Sequence, residues 1–366
     1  MQVTGSESIS LSSQPAGAET TSKKIFKGII EAARESVIII DSSMRIAAAS
    51  SAAQAAFARD AASIEGHRLT EVIRDLSLHA SFHRALAENA RTEARLEYVT
   101  HEKRGYDVHI TPVEIEGKLY AVGVFYDTTR IERLEKMRQE FLSNISHELR
   151  TPLTSIMAFV ETLESGAIDD PENNRRFLGV VRRNAQRMND LISDILELSM
   201  IESGKITIEI KSVKLANLVD EIFASLSSKA AERDIGLINE IEAEARVPAD
   251  QMRLEQMLTN LIDNAIKFNR PAGTVSVRME SNDGKYRIEV SDTGEGILPS
   301  HLPRIFERFY RADRGRTREV GGTGLGLSIV KHLARLHGGD VSAFSDLGRG
   351  SRFIIELPGN PGHATS

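Results

Sequence analysis

Phe141-Leu142-Ser143-Asn144-Ile145-Ser146-His147-Glu148-Leu149-Arg150-Thr151-Pro152-Leu153 is the stretch on which the reading of this 366-residue chain turns. Leu142, Ile145, Leu149, Pro152, Ile156, Phe159 and Leu163 step by alternating threes and fours. That spacing predicts a helix with a bundle-type apolar seam. His147 falls between seam positions, so it is expected to face outward with Glu148 beside it. Thr151, one turn on, shares its face. Pro152 lies inside the helix, where it deletes one backbone hydrogen bond, frees the Glu148 carbonyl and predicts a local bend. A surface histidine on an ordinary bundle helix would show the same pattern, and the rest of the chain has to decide.

Composition narrows the field. Hydrophobic residues make up 41% and charged residues 27%, as in ordinary soluble globular proteins, and the length suits two or three domains. The formal charge of −6 gives no reason to expect a nucleic-acid partner. Cysteine is absent, which excludes disulfides, thiolate metal sites and thiol redox sensing. The longest apolar run, near Val37-Ile38-Ile39-Ile40, is far short of a membrane span, and no signal peptide is visible. These features suit a cytoplasmic chain, or a membrane-associated one if the sequence is a fragment of a longer protein.

Residues 1–24 are rich in Ser, Thr, Gly and Ala without a hydrophobic period and read as a disordered tail. Ser36 to Asp41 reads as a strand and Ala52 to Phe57 as a helix. Strands follow at Glu93 to Val99, Asp107 to Val113 and Leu119 to Tyr126, with Gly105 and Gly117 expected in the turns between them. From Ile131 a long charged helix begins. Its seam is expected at Ile131, Leu134, Arg138, Phe141 and Ile145, and two successive steps of four, to Ile145 and then to Leu149, amount to a stutter. Such a joint either transmits twist toward His147 or is imperfect packing at a domain junction. Gly166 to Pro171 breaks the helix. A second follows with Phe177, Val181, Asn184, Met188, Leu191, Ile195 and Leu198 on its seam, giving an antiparallel hairpin. The apolar stripe is too wide for one hairpin to bury, so two chains are expected to form a homodimeric four-helix bundle, with Asn184 fixing register. Gly204 ends the second helix. Residues 205–360 read as a separate α/β domain, and 361–366 as a tail.

Four motifs lie in order within that last domain. In Gln256-Met257-Leu258-Thr259-Asn260-Leu261-Ile262-Asp263-Asn264-Ala265-Ile266-Lys267-Phe268, the residues Leu254, Leu258, Leu261, Ile262 and Ala265 face inward, while Asn260, Asn264 and Lys267 share the other face. An amide oxygen is a hard ligand suited to Mg²⁺, and a lysine suits phosphate. Asp292-Thr293-Gly294-Glu295-Gly296-Ile297 follows a strand in which Tyr286, Ile288 and Val290 alternate inward, so Asp292 stands at the strand's end. Gly294 and Gly296 are expected to let backbone approach a bound base closely. Phe306-Glu307-Arg308-Phe309-Tyr310-Arg311 opens a segment carrying Arg314, Arg316 and Arg318, which reads as a mobile lid over a triphosphate. Gly321-Gly322-Thr323-Gly324-Leu325-Gly326-Leu327 leads into an amphipathic helix, and glycine-rich backbone at a helix N-terminus suits phosphate.

These stretches carry a resemblance. The four motifs resemble the ATP-binding fold shared by histidine kinases, type II topoisomerases, MutL and a class of heat-shock chaperones, an α/β sandwich of the GHKL type. His147-Glu148-Leu149-Arg150-Thr151-Pro152-Leu153 resembles the phospho-acceptor box of sensor histidine kinases of two-component systems, those of the phosphate-regulon type most of all. Residues 25–130, closing on Asp127-Thr128-Thr129-Arg130, resemble a PAS sensor domain (an antiparallel sheet with helices), either a ligand sensor or a purely structural module. With no cysteine, flavin–thiol photochemistry is excluded, and the ligand is otherwise unknown. Together this is a multidomain α+β chain: PAS domain, dimerisation and histidine-phosphotransfer hairpin at 131–204, and ATP-binding domain at 205–360. The resemblance implies ATP and Mg²⁺ as cofactors, with Asn264 as metal ligand, Asn260 and Lys267 near the phosphates, and Asp292 on the adenine amino group. It also places Phe268, Gly294, Gly296, Ile297, Arg308, Arg311, Gly322, Thr323, Gly324, Leu325, Gly326 and Leu327 against the nucleotide. Ser351, in Gly348-Arg349-Gly350-Ser351, stands where threonine is more familiar and keeps the hydroxyl.

Kinase and hydrolase part at one position. Hydrolytic relatives place a glutamate four residues before the metal-binding asparagine to deprotonate water; here that residue is Asn260, and an amide is no base. His147 then supplies the nucleophile, since a neutral imidazole is competent near neutral pH. Glu148 is expected to orient its ring, and Thr151 to aim water during dephosphorylation of a partner. No catalytic residue is missing, which argues against an inert scaffold. The expected enzyme is a protein histidine kinase that passes phosphate to an aspartate of a response regulator and also dephosphorylates it.

Overall fold

The computed structural model describes residue 28 and residues 34–359 apart from 59–62, 100–101, 283 and 313–321. The expected tails at 1–24 and 361–366, Gly321, and the lid residues Arg314, Arg316 and Arg318 lie outside the described residues. The chain divides into two compact units, Met1–Gln139 and Glu140–Ser366.

In the first unit, β1 (Ser36–Asp41), β2 (Ile46–Ala49), β3 (Thr92–Val99), β4 (Lys103–Ile115) and β5 (Lys118–Asp127) form an antiparallel sheet in the order β2-β1-β5-β4-β3. Helices α1 (Ser51–Phe57), α2 (Leu69–Val72) and α3 (Leu76–Glu88) accompany it. Between sheet and helices the core is aromatic: the Phe57 ring lies 5.2 Å from Tyr98, 5.4 Å from Tyr106 and 5.2 Å from Phe125. Gly117 sits in the β4–β5 turn at φ +73°, as expected. Gly105 does not mark a turn. It lies inside β4 opposite Glu97, where a Cβ would come within 2.6 Å of the Glu132 carboxylate at the end of its long side chain. Its N–H donates to Thr129 Oγ1 at 3.1 Å, so the glycine lets the sheet end meet the next helix at close range.

That helix, α4 (Thr129–Glu164), continues through Pro152 as one helix. Gly166, at φ +113°, and a short 3₁₀ turn, Ala167–Asp169, lead to α5 (Pro171–Glu202). Asp170 caps α5 by accepting from the Glu172 and Asn173 N–H groups, with Pro171 in the first turn, a favourable start for a helix. The hairpin seam follows the sequence period: Pro152 and Leu163 are buried, Ile145, Leu149, Ile156 and Phe159 half-buried, and Phe159 packs its ring 5.3 Å from Phe177. Asn184 donates across the hairpin to Ser155 Oγ at 3.3 Å and to the Val180 carbonyl at 2.9 Å.

Leu142, Ile131 and Leu134 are exposed in the single chain, where a seam between two chains would leave them. One expectation for the seam needs correction. Leu191, Ile195 and Leu198 point into a core continuous with the last domain, so they are not the outer face of the hairpin. That outer face is a second stripe, in which Leu153, Met157, Ile192 and Leu196 are 46%, 65%, 45% and 59% exposed.

The remaining domain stacks α6 (Leu215–Ala231), α7 (Gln251–Lys267) and α8 (Gly326–Leu336) on a five-stranded sheet. Its strands are β7 (Gly236–Asn239), β9 (Thr274–Asn282), β10 (Lys285–Asp292), β11 (Asp340–Asp346) and β12 (Gly350–Pro358), ordered β11-β12-β10-β9-β7 with β7 parallel to β9. Strands β6 (Lys211–Lys214) and β8 (Arg246–Ala249) pair separately. Leu254, Leu258, Leu261 and Ile262 of α7 are fully buried, each worth about 1.5–3 kcal/mol of transfer free energy. The polar face of α7 is thereby fixed toward the glycine-rich loop.

Candidate active site: acceptor turn and nucleotide loop

His147 is exposed on α4, and neither its ring nor the amides of Asn260 and Asn264 hydrogen-bonds another described residue. One turn later the Thr151 hydroxyl donates to the His147 carbonyl at 3.2 Å. The next residue, Pro152, has no N–H to offer the Glu148 carbonyl. The Glu148 carboxylate turns toward α5, where Arg187 reaches its Oε2 at 3.1 Å, and Arg311 stands 3.9 Å from the same oxygen.

In the nucleotide domain the structure brings the sequence motifs to one end of the sandwich. Gly326, at the start of α8, would place a Cβ only 3.0 Å from Asn260 Oδ1; the glycine-rich loop therefore closes directly on the polar face of α7. Asn264 lies one turn along that face, half-buried. Lys267 pairs with Asp263 at 2.5 Å, and Lys229 reaches the other oxygen at 3.0 Å. Burial pushes the Asp263 carboxyl up, yet the two lysines outweigh it and hold it below the usual range. Phe268 caps α7, and its carbonyl accepts from the Glu295 N–H.

Asp292 ends β10, as the alternation predicts. Its Oδ1 accepts from the Gly294 N–H at 2.8 Å and the Ser351 N–H at 3.2 Å. Burial raises its carboxyl above the ordinary value, and those two backbone bonds only partly oppose the shift. The missing side chains of Gly294 and Gly296 make room for the protein itself: a Cβ would meet the Phe268 carbonyl at 2.4 Å and the Asp346 carbonyl at 2.1 Å, respectively. The Ile297 N–H donates to Ser345 Oγ, which lies 3.0 Å from Ser351 Oγ. Ser345 escaped the sequence reading; its position two strands away gives no local signal.

The loop from Phe306 to Arg311 is pinned to the glycine-rich loop. Phe309 takes φ +58°, its N–H donates to the Gly324 carbonyl at 2.9 Å, and a Cβ on Gly324 would lie 3.0 Å from Phe309 Cα. Arg311 donates to the Gly322 carbonyl at 3.3 Å. Leu325 is fully buried, and Leu327 packs against the same core. Thr323 accepts from the Leu325 N–H and donates to Asp194 Oδ2 at 2.6 Å.

That last bond introduces residues which sequence reasoning passed over. Three carboxylates of α5 grip the nucleotide domain: Asp194 holds Thr323, Glu197 pairs with Arg253 at 2.7 Å and accepts from Gln256, and Glu202 pairs with Arg308. Phe141 of α4 adds a ring 5.7 Å from Phe309, under the Arg308 guanidinium. Burial raises the Asp194 carboxyl; the Thr323 bond opposes this, and nearby Glu197 and Asp190 add to it. Asp190, Asp194 and Glu197 are spaced by four and three, an acidic stripe on one helix face. The stripe was visible, but its basic and hydroxylic partners lie more than fifty residues away.

Three families match the chain in sequence. The PAS fold matches residues 30–133, the His Kinase A (phospho-acceptor) domain 137–204, and the histidine kinase-, DNA gyrase B-, and HSP90-like ATPase 249–361. In that order they are the modules of a PAS-containing sensor histidine kinase of two-component systems, and the last is an ATP-binding domain. The chain is similar to the sensor protein SrrB of Staphylococcus aureus, at 32% identity over 250 residues in strains N315 and Mu50. That match covers 68% of this chain and 43% of the relative, so the chain spans less than half the length of the curated relatives it matches. Among solved structures, histidine kinase ThkA in complex with the response regulator protein TrrA superposes with a TM-score of 0.51 at 23% identity, covering 91% of this chain and 98% of that one. Acinetobacter baumannii histidine kinase AdeS gives 0.50 at 22%, covering 58% and 98%. At such identities these two superpositions speak for the fold. No helix among the described residues is long and apolar enough to cross a membrane.

Proposed function

We propose that this chain is an ATP-dependent protein histidine kinase that phosphorylates His147 and passes the phosphoryl group to an aspartate of a response regulator. The observation that carries the reading is the neutral amide of Asn260 against the glycine-rich loop, where a hydrolase would need a base, together with an exposed imidazole on α4. One imidazole nitrogen attacks the γ-phosphorus; the new N–P bond forms as the β–γ bridging O–P bond breaks and ADP leaves with that electron pair. The proton on the other ring nitrogen is held toward Glu148, which orients the ring as positive charge builds on it. Asn260, Asn264 and Lys267 face the phosphates, Asp292 accepts from the adenine amine, and Arg308, Arg311, Thr323 and the surrounding glycine backbone close the site. Asn264 fits a hard divalent ion, since the residue is half-buried and its amide oxygen is unclaimed by other described residues. Mg²⁺ bound there would neutralise charge on the transferring group.

The working units are a PAS domain over 25–130, a dimerising phospho-acceptor hairpin over 131–204 and an ATP-binding domain over 205–360. The exposed stripe of Leu153, Met157, Ile192 and Leu196 fits a second copy of the same hairpin, completing a four-helix bundle. A response regulator is the partner for His147, as the ThkA–TrrA complex offers for a protein of the same fold.

The decisive experiment replaces the acceptor. His147→Gln is expected to abolish acid-labile labelling from ATP while leaving ATP affinity within about twofold, because acceptor and nucleotide site sit on different elements; undiminished labelling would refute the assignment. Thr151→Ala separates the two activities. It should leave labelling within a few-fold and slow decay of the phosphorylated regulator roughly tenfold, about 1.4 kcal/mol of barrier. Equal loss of both would make the threonine structural.

A further inference from the structure

Glu148 follows His147 directly in a helix, and neighbours one apart do not face each other: their side chains leave the axis about 100° apart. A carboxylate in that place cannot be relied on to meet the imidazole unless something outside α4 fixes its rotamer. The structure supplies that group. Arg187 of α5 reaches Glu148 Oε2 at 3.1 Å, and both side chains are mostly buried, at 25% and 32% exposure. The other nearby cation, Arg311, approaches the same Oε2 at 3.9 Å. Both guanidinium contacts therefore fall on one oxygen, and Glu148 Oε1 has no hydrogen-bond partner among the described residues. A charged hydrogen bond on one carboxylate oxygen narrows the rotamers open to the side chain and leaves the other oxygen free to meet a second donor.

Resting on the kinase reading above, we propose that Arg187 is a positioning residue for autophosphorylation: it anchors Glu148 through Oε2 so that Oε1 is presented to the N–H of the His147 imidazole. Arg187 touches neither nucleotide nor imidazole in this role; it acts through Glu148 alone. Its side chain also bridges α4 to α5 at the level of the acceptor, so the carboxylate's placement is tied to the packing of the hairpin. A free glutamate would spread over several rotamers, and its orienting effect would be diluted accordingly.

Kinetics on the full chain test this. Arg187→Ala should lower the rate of His147 labelling at saturating ATP about tenfold, with KM for ATP within about twofold, because the nucleotide site is untouched. Arg187→Lys, which keeps a charge but not the planar fork, should recover part of the loss. The discriminating measurement is a double-mutant cycle: Glu148→Ala combined with Arg187→Ala should label no more slowly than Glu148→Ala alone. Sedimentation and thermal melting of each variant establish that hairpin and dimer persist, and should Arg187→Ala fail to fold, Arg187→Lys and Arg187→Gln carry the same cycle. Wild-type or faster labelling in these variants, or losses that multiply in the double variant, would overturn the proposal. Since His147→Gln tests the acceptor itself, loss of label there with an unaffected Arg187 series would remove this inference and leave the kinase reading standing.

Discussion

The described residues form two five-stranded sheets with helices packed on them, and they are filled in opposite ways. In the PAS unit the space under the sheet holds the rings of Phe57, Tyr98, Tyr106 and Phe125, all but fully buried and within 5.2–6.3 Å of one another where they pair. In the nucleotide domain the core is mainly aliphatic, while the end formed by α7, the glycine-rich loop and the close of β10 is lined by amides, hydroxyls and a carboxylate. The first presents rings packed edge to face on one another. A polar ligand at the second would meet groups already arranged around it. Similar architecture thus carries a ring-filled apolar interior in one module and a polar end in the other.

Substitutions can break or sharpen that contrast. Asn264→Asp should have the largest effect, cutting labelling from ATP at least 100-fold by altering the proposed metal ligand, with the melting temperature nearly unchanged; wild-type rates would remove Asn264 from the site. Phe57→Ala should do the reverse. Removing the ring at the centre of the aromatic cluster is expected to cost the PAS unit about 3–5 kcal/mol, read as faster amide exchange in β5, while ATP affinity of the chain stays the same. A third test uses acid. His337 is buried, donates from Nδ1 to the Leu333 carbonyl at 2.8 Å and accepts from the Asp250 N–H at Nε2, so the fold requires the neutral ring.

Burial holds its pKa below the ordinary value, against opposing help from Leu333 and Asp250. The folded state thus binds fewer protons than the unfolded one, and the nucleotide domain should lose stability as pH falls below about 6.5. Gln at 337 can mimic both hydrogen bonds, so His337→Gln should flatten that acid limb in a melting series; an unchanged limb would place the proton uptake elsewhere. The smallest effect belongs to Ser351→Thr. The hydroxyl survives beside Ser345, and ATP affinity should stay within about twofold by equilibrium titration.

How much of this could be read from the chain follows from the range of the forces involved. The hairpin was legible because its seam repeats every three or four residues, and the inward set of α7 for the same reason. Asp292 was placed at a strand end by simple alternation. What escaped was set by contacts distant in sequence. Gly105 looked like a turn residue because glycine commonly is one; it lies inside a strand, beside a carboxylate 27 positions away on another element. Leu191 and Ile195 fit a dimer seam by period, yet a neighbouring domain covers them first, and the surface left for a second chain shifts to Ile192 and Leu196. Glu148 was given one role beside His147, while its ion pairs with Arg187 and Arg311 depend on a helix and a loop that no local pattern connects to it. At Gly294 and Gly296 the space a side chain would fill lies against the Phe268 and Asp346 carbonyls, contacts that no local pattern announces.

The bond from Thr323 to Asp194 has a thermodynamic consequence. A phosphate oxygen that recruits the Thr323 hydroxyl must exchange with a carboxylate that the helical hairpin supplies, and Glu202 makes the same demand at Arg308. Linkage makes such an exchange symmetrical: whatever factor the docked hairpin takes from triphosphate affinity, bound triphosphate takes from hairpin docking. The nucleotide domain cut free of its hairpin should then bind ATP more tightly than the whole chain does, and the ratio of the two affinities would measure, in free energy, how firmly the acceptor helices are held at rest.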